Sequence, residues 1–362
     1  VKTTLYAILG DGAFRQYSAD YSYDPLGNDP PSAAWPELQL TDVWRKREIT
    51  NRQYGWVPSL QWQHARGRLT AGLELLRHTG HHQGFIVDGL DPQPIAADLV
   101  LYDYRNRKRT AGLFVRESWQ AAERLTVDLE LQATHHAYAM RDDQVRGYSW
   151  DSGYGWVTPR LGLSWRAAEH ARLYLSLSTA RSEPTFSNVW DPQDPSANPL
   201  PLFASFDQAT RHLEDAQARP ERLRAAELGG SWGNARLQLK ANAYWMDFRD
   251  ELVFAGGLDD DGLPITDNAA RSLHRGLELE LAAQLPGQVR LSGHLAVSDD
   301  VLKDYVLQYA PGPEGTVDYS GNRIALFPER QARLRLARRF GALDLSFGLR
   351  HVGRIYLDNS QN

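Results

Sequence analysis

The sequence predicts an all-β protein, an antiparallel transmembrane β-barrel of about 14 strands. Three observations lead there: alternation of apolar and polar residues from end to end, aromatic residues near strand ends, and connections that alternate between short and long. Leu125, Val127, Leu129 and Leu131 take turns with Thr126, Asp128, Glu130 and Gln132. Leu237, Leu239, Ala241 and Ala243 take turns with Arg236, Gln238, Lys240 and Asn242. Side chains on a strand point to opposite faces with a period of two, so each segment has one oily and one wet face. Tyr6, Trp62, Trp119, Trp165, Tyr174, Trp232 and Trp245 stand where a barrel carries its interfacial girdles. Several strands run past ten residues, enough for a tilted membrane crossing and longer than ordinary globular strands.

Taken in order, the first strands are Thr3–Leu9 and Ala13–Asp20, with Gly10-Asp11-Gly12 as their hairpin turn. A Pro/Gly/Asp-rich loop follows from Tyr23 to Glu37. Strands Asn51–His64 and Arg68–His78 join at Arg66-Gly67, and a loop covers Gln83–Leu99. Arg105–Trp119 and Arg124–Tyr138 turn at Gln120–Glu123. Val157–Arg166 and Ala171–Arg181 turn at Ala167–His170. Ser182–Arg219 reads as the longest irregular stretch. Leu223–Trp232 and Ala235–Phe248 meet across Gly233-Asn234, Arg271–Ala283 and Gln288–Val297 across Leu285-Pro286-Gly287, and Ala332–Phe340 and Leu343–Tyr356 at Gly341.

Composition narrows the function. The 362 residues carry a formal net charge of -5, which argues against a nucleic-acid binder. Mean hydropathy is -0.50 and no stretch approaches the roughly 18 apolar residues of a membrane helix. There is no cysteine, hence no disulfide and no thiolate metal site.

Several strings resemble the barrel of a TonB-dependent outer-membrane receptor. Arg219-Pro220-Glu221 through Glu227-Leu228-Gly229 resembles the start of a mid-barrel strand in that family. Ala241-Asn242-Ala243-Tyr244-Trp245-Met246-Asp247-Phe248-Arg249-Asp250 resembles its aromatic–aromatic–aspartate arm, and Asn268 to Leu279, with Arg275-Gly276-Leu277-Glu278, its Asn…Arg-Gly-x-Glu strand. Tyr174-Leu175-Ser176 through Ser182-Glu183-Pro184-Thr185, Gly321-Asn322-Arg323 with Phe327-Pro328, and Thr4-Leu5-Tyr6 with Gly10-Asp11-Gly12 follow the family order.

The resemblance implies an outer-membrane receptor of a Gram-negative-type bacterium, taking up a scarce nutrient complex such as ferric siderophore or cobalamin. It implies outer-membrane lipid and the TonB complex as partners, the latter through a plug, and a monomer when intact. No enzyme activity, cofactor, metal site or nucleic-acid partner is expected. Residues 1–362 form one barrel domain in this reading. The family barrel has 22 strands and begins with a signal peptide, a TonB-contacting segment and a plug. Val1 opens directly on a strand, so the expectation is an incomplete part of that barrel, with a complete barrel of about 14 strands as the competing account. The alternative function is a passive porin or channel for small organic solutes.

Candidate ligand contacts fall in two groups. Trp190, Phe203 and Phe206 lie in a long loop, where they pack against a ligand or equally pack the loop on itself. Arg236, Lys240, Arg290, Arg333 and Arg335 sit on wet faces, where they pair with lumen carboxylates or a plug, or attract an anionic ligand. His78, His81 and His82, and His135 with His136, read as solvated loop histidines rather than a metal site, since no carboxylate or cysteine spacing completes one. Asp259-Asp260-Asp261-Gly262 lacks the ligand spacing of a calcium loop, and Asp191–Pro195 reads as surface loop. Ser292 and His294 share a face, but no Gly-x-Ser-x-Gly string stands out and a lumen face carries such residues anyway. The loops Gln83–Leu99, Ser182–Arg219 and Gly256–Asp267 are the expected capture surface.

Overall fold

The computed structural model describes residues 1–23, 39–89, 99–190, 203–258, 264–308 and 315–361. Strands β1 (Lys2–Tyr23), β2 (Gln39–His64), β3 (Gly67–Gly89), β4 (Leu99–Ala122), β5 (Leu125–Arg141), β6 (Ser149–Ala168) and β7 (Ala171–Ser182) form a meander. It continues through β10 (Glu221–Gly233), β11 (Leu237–Leu258), β12 (Pro264–Leu285), β13 (Val289–Asp304), β16 (Arg330–Phe340) and β17 (Leu343–Val352). Every neighbour along this path is antiparallel, including β7 with β10 and β13 with β16. Between β7 and β10 the chain makes a short helix α1 (Phe186–Val189) and a hairpin, β8 (Phe203–Asp207) with β9 (His212–Ala216). The small pair β14 (Val306–Gln308) and β15 (Thr316–Asp318) lies between β13 and β16. Among the described residues β1 pairs only with β2 and β17 only with β16, so the barrel is not closed.

The two faces separate as the alternation requires. Leu129, Leu131, Leu277, Leu279 and Leu295 lie on one face and are each 40–52% exposed. A contiguous apolar surface of this extent marks contact with lipid. The opposite face carries Lys240 and Asn242 of β11, in register with Glu280 and Glu278 of β12. Short turns at 65–66, 123–124, 169–170, 234–236, 286–288 and 341–342 gather at one end. Positive φ serves two of these, at Gly287 (74°) and Gly341 (59°).

The apolar band ends where polar residues enter the outward face. Along β12 the outward run of Leu281, Leu279 and Leu277 is interrupted at Arg275, which pairs with Asp299 at 2.8 Å and lies in register with Trp245. On β3 and β4 the corresponding residues are Arg77 and Arg109, themselves in register. A crossing takes about 9–11 residues, while β2, β3 and β4 have 26, 23 and 24. These strands therefore stand well beyond the bilayer on the side of the long connections.

On the wet face, aromatic rings lie over glycines in register. Tyr6 covers Gly55, Phe114 covers Gly72, Tyr102 covers Gly84, Tyr174 covers Gly229, and Tyr244 covers Gly276. A Cβ at Gly276 would lie 2.5 Å from the Tyr244 hydroxyl and 2.7 Å from the Val297 carbonyl oxygen. The glycines admit the rings against backbone and the rings cover the bare strand.

Several sequence expectations are corrected. Gly10-Asp11-Gly12 is no turn: β1 runs straight through it, paired with Asn51, Thr50 and Ile49 of β2. The long partner strand holds the glycines extended. The Gln83–Leu99 and Gly256–Asp267 loops shrink because β3 reaches Gly89, β11 reaches Leu258 and β12 begins at Pro264. Ser182–Arg219 contains α1, β8 and β9. Asp191–Pro195 and Asp259–Gly262 lie outside the described residues.

Candidate functional site

A cavity of about 740 Å³ opens on the wet face of β3 to β7, walled by Glu74, His78, Asn106, Gln132, Thr134 and Arg160 among others. These residues come from alternate positions of neighbouring strands, so the pleat aims them at one space. At its outer end lies a set of charges that no local sequence pattern announces. Lys108 of β4 donates to Glu183, one residue beyond β7. The Tyr138 hydroxyl of β5 donates to the same carboxylate oxygen at 3.3 Å. His136 Nε2 lies 3.3 Å from the second oxygen, and Thr110 Oγ1 is 2.9 Å from His136 Nδ1. The Lys108 ammonium sits 5.1 Å from the Tyr138 ring centroid. Burial pushes the Glu183 carboxyl up, but the Lys108 ammonium, a backbone hydrogen bond and His136 together hold it below the usual carboxylate range.

Above this seat is an aromatic cap. Phe186 of α1 stacks on Tyr104 at 5.9 Å and His82 at 6.3 Å, and meets Trp150 at 5.2 Å. Thr185 caps α1, its Oγ1 accepting from the Asn188 amide. Trp190 and Phe203 are buried with Tyr148, Trp150 and Leu213, and Phe206 packs at the edge of that cluster. Trp190 is 5% exposed and Phe203 0%, both enclosed among side chains of β4, β5, β6 and β9.

The wet-face cations divide by location. Lys240 pairs with Glu280 at 2.9 Å, and Arg160 lies 3.9 Å from Glu130. Arg236, Arg290 and Arg335 instead line one shallow depression of about 350 Å³ near the short-turn end, with Ser292 and Gln238. Arg333 stands on the same strand as Arg335, in register with His294. Among the described residues none of these four arginine side chains forms an ion pair. Ser292 and His294 are exposed on this face, in register with Arg335 and Arg333, and no hydrogen bond joins them.

The histidines also resolve. His78, His81 and His82 belong to β3, not to a loop. His81 Nε2 bonds Asp103 at 2.7 Å, and Asn106 bonds His82 Nε2 at 3.0 Å. His135 and His136 occupy opposite faces of β5 because they are adjacent on a strand. No cluster of His, Cys, Asp or Glu suited to a metal occurs among the described residues.

A second polar cluster escaped the sequence reading. His274 Nδ1 lies 2.8 Å from Asp300 and its Nε2 3.1 Å from Glu251. Two carboxylates on two ring nitrogens suit the doubly protonated ring, which alone donates from both. Ser272 bonds Glu251, Ser298 bonds Asp300 at 2.6 Å, and Phe248 and Phe327 flank the ring. The set ties β11, β12 and β13 together.

The family model described as TonB dependent receptor-like, beta-barrel matches residues 3–362. The chain is similar to the copper transporter OprC, with a TM-score of 0.67 and 15% identity over 96% of this chain and 48% of that one. It is similar to the ferric citrate transporter FecA, with 0.64 and 13% over 90% and 45%. It is also similar to the siderophore receptor PiuA of Acinetobacter baumannii, with 0.58 and 15% over 90% and 48%. The chain thus spans about half the length of each. No curated protein matches it.

Proposed function

The chain belongs to the TonB-dependent receptor β-barrel family, and on that premise we propose that it forms barrel wall of an outer-membrane receptor that imports a scarce nutrient complex. The cargo we favour is a metal complex such as a ferric siderophore, with cobalamin as the further candidate. Residues 1–362 act as one barrel domain, with lipid on the leucine face and cargo on the other. The observation that carries this reading is the 740 Å³ polar cavity beneath an aromatic cap, on the face opposite the leucines. A nutrient complex needs such a recess, walled by hydrogen-bonding groups on rigid strands.

The unpaired Arg236, Arg290, Arg333 and Arg335 extend the reading. Like charges gathered without counter-charges favour anionic contacts, either cargo or an acidic protein face within the lumen. Trp190, Phe203 and Phe206 serve by shaping the outer mouth.

Uptake tests it. A strain expressing the full-length natural protein should accumulate labelled ferric siderophore under iron limitation, and deleting TonB should abolish this. Uptake indifferent to TonB, with small organic solutes passing freely, would establish the passive channel instead.

A further inference from the structure

The contacts around Glu183 form a carboxylate seat: an ammonium, a phenol hydroxyl and an imidazole converge on two carboxylate oxygens. The resident carboxylate is the chain's own. Building on the uptake reading, we infer that Lys108, His136 and Tyr138 bind a carboxylate of the incoming solute, and that this solute carboxylate displaces Glu183 and releases the cap segment carrying Phe186.

Three observations support the exchange. The seat opens into the cavity rather than into packed core: the side chains of Lys108 and Glu183 remain 30% and 23% exposed. A pair so accessible contributes little net stability, so an incoming carboxylate faces a weak competitor. Thr134 Oγ1 and Asn106 Oδ1 line the same cavity and are buried without a hydrogen-bond partner. Such groups cost free energy until something polar reaches them, and a solute with several oxygens would do so. Finally, only Pro184 and Thr185 separate Glu183 from Phe186. Withdrawing the carboxylate therefore pulls on the ring stacked over Tyr104 and His82. The cap and the seat are one lever.

The chemistry recognised is a carboxylate, whether on a free organic acid or on the chelator of a metal complex. The full-length protein in detergent is titrated calorimetrically with citrate and, in a second arm, with citrate carrying iron(III). Hydrogen exchange of residues 184–190 is followed in both. Binding in either arm should accelerate exchange in that segment. Glu183→Gln should bind about tenfold more tightly and show fast exchange without citrate, while Lys108→Gln should lose binding. Unchanged protection of β12 and β13 establishes that the variants are folded. The inference is overturned if neither arm binds, if bound citrate leaves 184–190 protected, or if Glu183→Gln binds no more tightly than the parent. Loss of TonB dependence in the uptake assay would defeat the transport reading alone, since these binding measurements do not involve TonB.

Discussion

Replacing Leu279 with arginine tests which face meets lipid. Leu279 lies on the outward face of β12, midway between Leu285 at the short-turn end and Arg275 at the upper edge of the band, with Ala241 and Leu295 beside it. It is 40% exposed, and that exposed surface would contact hydrocarbon. A cation at this depth costs about 2–4 kcal/mol, roughly a 30- to 900-fold fall in the folding equilibrium. The matched control is Ala296→Arg on β13, whose wet face places the new guanidinium in register with Glu278. In water, beside a carboxylate, that change should cost less than about 1 kcal/mol. Guanidinium titrations of the full-length protein in lipid vesicles, followed by tryptophan fluorescence, read both. Equal costs, or a larger cost for Ala296→Arg, would refute the assignment of faces.

Three other perturbations follow from the structure. Gly276→Ala should destabilise by about 1–3 kcal/mol, because the new methyl meets the Val297 carbonyl as well as the Tyr244 ring; a shifted guanidinium midpoint shows it. His274→Ala leaves Glu251 and Asp300 without the cation between them and should cost about 3–5 kcal/mol, with partial recovery when Glu251→Gln is added; an unchanged midpoint would contradict the clamp. Glu183 supplies a pH signature. Its folded carboxyl is held below the 4.5 of an ordinary glutamate, so its contribution is full above 4.5 and is lost as pH falls through the depressed value. Protection of residues 184–190 from hydrogen exchange should decline over that acid window in the parent and show no such step in Glu183→Gln.

What could be read from the sequence follows the physics of each region. Within the bilayer the two faces meet different solvents, so alternation is strict, and Leu277, Leu279 and Leu281 declare β12. Beyond the bilayer both faces are wet. On β3, Arg77, Thr79 and His81 face outward while His78, Gly80 and His82 face inward, and no period survives, so the sequence pattern ends the strand at His78 although it reaches Gly89. Turns at Gly233-Asn234, Pro286-Gly287 and Gly341 were legible because backbone sterics restrict them locally. Gly10-Asp11-Gly12 carried the same local signal, yet pairing with Asn51 to Ile49 prevailed. The seat at Glu183 was invisible for another reason: Lys108 and Tyr138 lie 75 and 45 residues away, and only strand register brings them together. The arginine faces were legible because adjacent strands preserve parity, whereas their missing counter-charges required the assembled sheet.

The absence of cysteine from the chain makes one measurement especially direct. Single cysteines placed at positions 277 through 282 of the full-length protein in lipid vesicles, each carrying a nitroxide, report collision with oxygen or with a water-soluble nickel chelate. A period of two is expected: oxygen prevails at 277, 279 and 281, and the chelate at 278, 280 and 282. Uniform accessibility along the strand, or the opposite phase, would contradict it.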